Sequence, residues 1–172
     1  MKNTWLSFSF DDDNREQIFN VNNALNKDNI NAMGYCDSHM TAVFFGKRLM
    51  GLNKEILKQI NHAICEIIQK YKVNITLKFE KFTLFPPDKQ NIVVALYKPD
   101  KVLTSIVRDI KLKFPELCDK TDEFIPHITI GKINNNKEMD IDSINHYPDL
   151  VISGLESCGN KIKYIDTTYS FC

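Results

Sequence analysis

Two tripeptides of identical layout, His39-Met40-Thr41 and His127-Ile128-Thr129, constrain this chain more than any other feature. Each opens a short apolar run that closes on glycine: His39 through Phe45 before Gly46, and His127 through Ile130 before Gly131, with Pro126 in front of the second. Apolar runs of this length bounded by Gly and Pro read as strands. Successive strand side chains point to opposite faces, so histidine and threonine at i and i+2 share a face. Each motif therefore sets one titratable ring beside one hydroxyl. A fold that brings the two strands face to face would hold a proton acceptor and a proton donor on either side of a phosphate. That arrangement can break a phosphodiester without a metal.

The chain has four histidines among 172 residues, and two of them carry this motif. An isolated His-x-Thr is a weak signal, and the weight lies in the pairing and the shared setting. The other two histidines read as structural or solvated, His62 on a helix and His146 in a polar loop. No H-x-H, H-E-x-x-H or paired-cysteine spacing marks a zinc site, and neither a metal nor a cofactor is expected. Five scattered cysteines (Cys36, Cys65, Cys118, Cys158, Cys172) fit neither a disulfide framework nor a zinc knuckle. Cys36 lies three residues before His39, but nothing in the sequence orients the two as a nucleophile and its base.

A 43% apolar and 26% charged composition is that of an ordinary globular protein with room for a substantial core. We expect one domain, residues 1–172, and a monomer. Lys plus Arg equals Asp plus Glu at 22 each, which disfavours avid, sequence-independent binding to long duplexes. A short oligonucleotide held by a local basic patch remains compatible; Lys70, Lys72, Lys78 and Lys81 make such a run, although a solvated face is its commoner meaning. Neither a signal peptide nor a membrane span is visible, so the expectation is a cytoplasmic protein, with the nucleus as an alternative.

Local patterning predicts strands at 5–10, 73–84, 92–97, 150–155 and 161–171 besides the two motif strands. Helices are expected over about 14–27, from an Asn53 cap with Ile56, Ile60, Ile64, Ile67 and Ile68 on one face, and over 100–114 with Val102, Leu103, Ile106, Val107 and Ile110 inward. Residues 26–34, 115–125 and the Asn-rich 134–149 read as loops. The sum is an α+β chain built on mostly antiparallel sheet.

These residues resemble the two-histidine (2H) phosphoesterase superfamily, the LigT-like or 2′-5′ RNA ligase-like proteins. The resemblance rests on His39-Met40-Thr41-Ala42 with Phe44-Phe45-Gly46, and on Pro126-His127-Ile128-Thr129-Ile130. Phe82-Thr83-Leu84-Phe85-Pro86 with Ile92 to Leu96, and Tyr164-Ile165 through Tyr169-Ser170-Phe171, extend it along the chain. It implies two pseudo-symmetric lobes with outer helices around a central cleft. It also implies a metal-independent 2′,3′-cyclic or 2′-5′ phosphodiesterase acting on RNA ends or short oligonucleotides, with ligation as the reverse reaction. His39 and His127 would be the acid–base pair, with Thr41 and Thr129 as phosphate clamps. Tyr35, Phe85, Tyr164 and Lys132 are the candidate substrate-binding residues. Lys132 stands where family members often carry arginine, and strict alternation would turn it away from His127. The rival readings are a binding module that holds RNA ends in the same cleft without cleaving them and, more distantly, a metal-dependent nuclease.

Overall fold

The computed structural model describes residues 3–26, 30–32, 38–71, 75–85, 92–119, 123–133, 146–159 and 161–171. Two antiparallel sheets carry the architecture. The first has the order β3 (Met40–Gly46), β1 (Thr4–Phe10), β8 (Leu150–Gly159), β4 (Ile75–Leu77), with β9 (Thr168–Ser170) also paired to β8. The second has the order β2 (Ile30–Ala32), β7 (His127–Ile133), β6 (Ile92–Tyr97), β5 (Phe79–Leu84). Three helices complete the α+β fold: α1 (Asp12–Asn26), α2 (Lys54–Gln69) and α3 (Lys101–Lys113).

The helices start where side chains can satisfy their free amides. The Asn53 side chain accepts from Ile56 N–H at 2.9 Å, and Asp100 accepts from Val102 and Leu103 at 2.8 and 3.0 Å. Leu57, Ile60, Ala63, Ile64, Ile67 and Ile68 bury one face of α2, while Leu103, Ile106, Val107 and Ile110 bury one face of α3. Ile56 is exposed, and Leu57 takes the inward place expected for it. The helical stripe thus begins one residue later than periodicity suggested.

Three local expectations are corrected. The long strand expected over 73–84 is two strands in different sheets, β4 and β5, separated at Lys78. Asp149 makes the break: its carboxylate accepts from Lys78 Nζ at 2.7 Å and from Phe79 N–H at 3.0 Å, and Lys98 N–H donates to the Lys78 carbonyl. These hydrogen bonds hold the Asp149 carboxyl below its ordinary value, the Lys78 bond first. Asp149 belongs to a stretch expected to be an unstructured loop. Its neighbour Tyr147 is buried and donates to Asn22 Oδ1 at 3.1 Å, while the Pro148 carbonyl accepts from Tyr97 Oη. The residues 134–145 of that stretch lie outside the described residues.

The strand expected over 161–171 shrinks to Thr168–Ser170. The chain before it turns through Tyr164, whose φ of 75° is incompatible with extended backbone. Conversely, the segment read as loop over 26–34 contains β2, which pairs with β7.

Candidate active site

The two motif strands lie against one another, β3 from the edge of the first sheet and β7 from within the second. Burial alternates as the motif requires. Met40 and Ala42, and likewise Ile128 and Ile130, are buried, whereas His39, Thr41, His127 and Thr129 are half-buried. Each histidine thus shares an accessible face with its threonine.

Register reveals a second correspondence. Along β3 the partners are Thr41 with Ser7 and Val43 with Leu6, so Ala42 is passed over. Along β7 they are Thr129 with Val94 and Gly131 with Val93, so Ile130 is passed over. Each motif strand therefore carries a bulge at the third residue after its histidine. A bulge inserts one unpaired residue and resets the alternation beyond it. Directly paired residues of an antiparallel ladder share a face. Phe44, opposite Trp5, consequently lies on the face of Thr41, and Lys132, opposite Ile92, on the face of Thr129. The expectation that Lys132 points away from His127 is corrected: the bulge at Ile130 returns it.

The second sheet presents three successive levels on this face, read across β5, β6 and β7. Lys81, Leu96 and His127 form the first; Thr83, Val94 and Thr129 the second. Phe85, whose amide donates to the Ile92 carbonyl at 2.8 Å, continues the third beside Ile92 and Lys132. On the first sheet, Ser7 lies level with Thr41 and Glu156. The Ser7 hydroxyl is turned into a 2.8 Å bond to the Met40 carbonyl, which ties β1 to the start of β3. Arg15 neutralises Glu156 across 2.9 Å, so the carboxylate does not leave an uncompensated negative charge on this face.

The two imidazoles have different surroundings. His127 Nδ1 is 2.8 Å from the Ile125 carbonyl oxygen. A carbonyl can only accept, so Nδ1 carries a proton and Nε2 is the atom that titrates. Burial pushes the His127 pKa below its ordinary value; the bond to Ile125 opposes this, and the nearby His39 charge adds to the lowering. The Phe85 ring lies against His127 at 5.0 Å between centroids. His39 instead packs against Trp5, at 5.2 Å and a 37° tilt.

Of the remaining candidates, Tyr164 has the ammonium groups of Lys54, in the first turn of α2, and Lys163 at 5.3 and 5.2 Å from its ring centre. Tyr35 and Cys36 lie outside the described residues. His62 is exposed and faces Glu66 at 3.4 Å, and His146 is exposed. Burial raises the Cys118 and Cys158 thiols to about 11, so neither offers a thiolate near neutral pH. Among the described residues no group of His, Cys, Asp and Glu is arranged to hold a metal. Among them, too, no helix is long and apolar enough to cross a membrane.

Sequence reasoning missed Trp5, Phe44 and Thr83 as residues of this face, and named Lys81 only as part of a basic run. Alternation within β1 and β5 could have nominated Trp5 and Thr83. Phe44 could not be found that way, because its orientation depends on a bulge that only the paired strand defines.

No protein-family model and no curated protein sequence matches the chain. Solved structures do. The chain superposes on E. coli LigT complexed with 3′-AMP with a TM-score of 0.63 and 13% identity, covering 99% of this chain and 95% of that one. A structure described as a phosphoesterase gives a TM-score of 0.64 at 13% identity, with 99% and 95% covered. TT0787 of Thermus thermophilus gives 0.63 at 12%, with 90% and 86% covered. The chain shares the fold of LigT and of these structures.

Proposed function

We propose that the chain is a metal-independent phosphodiesterase that opens 2′,3′-cyclic phosphates or cleaves 2′-5′ linkages at RNA ends or in short oligonucleotides. The observation that supports this reading is the packing of β3 against β7, each carrying a half-buried His-x-Thr unit and a bulge at the third residue after its histidine. The likeness to LigT, solved with 3′-AMP, supports a ribonucleotide phosphate as ligand.

His127 is the general base. Its lowered pKa leaves Nε2 unprotonated near neutrality, and the Ile125 carbonyl holds the ring so that Nε2 is the acceptor. For a 2′,3′-cyclic phosphate the proton comes from the attacking water. For a 2′-5′ linkage it comes from the neighbouring ribose 3′-hydroxyl, which becomes the nucleophile. His39, in its protonated form, donates to the departing oxygen as the P–O bond breaks. Thr41 and Thr129 donate hydrogen bonds to the non-bridging oxygens as charge grows on them.

A panel of 2′,3′-cyclic nucleotides and 2′-5′ oligoadenylate, incubated in chelator and read by mass spectrometry, tests the reading. Products expected are a nucleoside monophosphate from the former and shortened oligonucleotides from the latter. Tight binding of intact ligands without turnover would establish the binding-module alternative, and activity lost on chelation would point to a metal-dependent nuclease.

A further inference from the structure

The matched bulges bring unlike residues to matched positions. Five residues after His39 the inner face receives Phe44, paired with Trp5; five residues after His127 it receives Lys132, paired with Ile92. On the second sheet Lys81 also shares the catalytic face, level with His127, while Lys132 lies two levels away. Between them is the level of Thr83 and Thr129. Successive levels on a strand face are about 7 Å apart. Lys81 thus lies one level to one side of these hydroxyls, on β5 two strands across from β7, and Lys132 lies one level to the other side, on β7 itself. Both lysines are exposed, and neither has a carboxylate partner among the described residues. The other lysine of this region, Lys78, is occupied by Asp149.

We propose that the second sheet is a phosphate rail and the first an aromatic wall. Lys81 and Lys132 hold the phosphates neighbouring the scissile one, and Phe44 with Trp5 gives ring surface to an adjoining base. The proposal rests on the reading of the cleft as a phosphodiesterase site and adds what selects the substrate: a single strand with charge on the phosphates beside the target. Lysine suits this role, since an ammonium is a point charge on a flexible stem that can follow a mobile backbone. Stacking on an aromatic wall tolerates any base, because every base has a π-face. Preference would therefore follow backbone charge and strandedness more than base identity.

Fluorescence anisotropy with short oligoribonucleotides tests this without requiring turnover. One probe has ordinary phosphodiesters beside the terminal cyclic phosphate; the other has the same sequence with those linkages replaced by neutral methylphosphonates. Wild-type protein is expected to bind the charged probe about 10-fold or more tightly. Lys81→Ala and Lys132→Ala should each bring the two affinities closer and lower the salt slope for the charged probe by about 0.7. Lys→Arg at either position should preserve the preference, which separates charge from disturbed folding. Phe44→Leu should weaken binding of a base-bearing probe by about 5-fold while leaving an abasic probe unaffected. Equal wild-type affinity for charged and neutral backbones, or a preference untouched by both alanine variants, would overturn the rail. Absence of turnover on every substrate would defeat the phosphodiesterase reading, and the anisotropy would still decide whether the rail exists.

Discussion

The two motif strands begin from the same plan and diverge in their physics. Both histidines precede a threonine by two residues, and both strands bulge at the following position. Yet His127 is anchored through Nδ1 to the Ile125 carbonyl, desolvated, and flanked by Phe85 on a strand paired on both sides. His39 stands at the start of an edge strand against the indole of Trp5. A repeated motif thus supplies two copies of one functional group in unlike surroundings. On the proposed mechanism, the burial of His127 suits it to the role of base by disfavouring its charged form.

The largest effect that would break this comparison comes from changing the leaving group. A p-nitrophenyl phosphodiester departs without a proton, so it should rescue His39→Ala by about 10²-fold or more relative to a ribose leaving group. His127→Ala should gain little, because the base is still missing. Equal rescue of both variants would erase the assignment of roles. Next in size are the hydroxyls. Thr41→Val and Thr129→Val should each lower kcat by about 10- to 100-fold, the cost of one hydrogen bond to a charged oxygen. Unchanged kcat in both would remove the threonines from the site.

The electrostatic coupling can be read directly by NMR titration. His127 should titrate below 6.5, and His39→Asn should move it upward by removing the like charge. An unmoved His127 would mean that the rings do not sense one another. The smallest effect is on stability. The folded state binds the His127 proton less readily than the unfolded chain does, so stability should fall as pH drops below 6.5 and level off once pH is below the folded value. His127→Asn should flatten that part of a melting-temperature profile, and a profile unchanged by the substitution would show that burial does not disfavour the charge.

How much of this was legible in the sequence varies with the range of the interactions responsible. The faces of His39, Thr41, His127 and Thr129 follow from alternation over three residues, and the structure agrees. The helices were readable from local periodicity, with Asn53 seated as the expected cap; the Asp100 cap of α3 was not anticipated. Lys132 was misplaced because a bulge is defined by the paired strand rather than by the bulged one. The division of residues 73–84 between two sheets depends on Asp149, far away in the chain, which no local pattern reveals. β2 was missed because so short a segment becomes a strand only when β7 offers it a ladder.

The central claim is that the His39 and His127 rings act on one phosphorus atom as a single unit. Rates for the wild type, His39→Ala, His127→Ala and the double variant on 2′,3′-cyclic AMP, measured in chelator, test it most directly. Groups that act together are strongly non-additive, so each single variant should lose about 10²-fold or more, with the double variant little worse than either. Retained turnover in either folded single variant would contradict it.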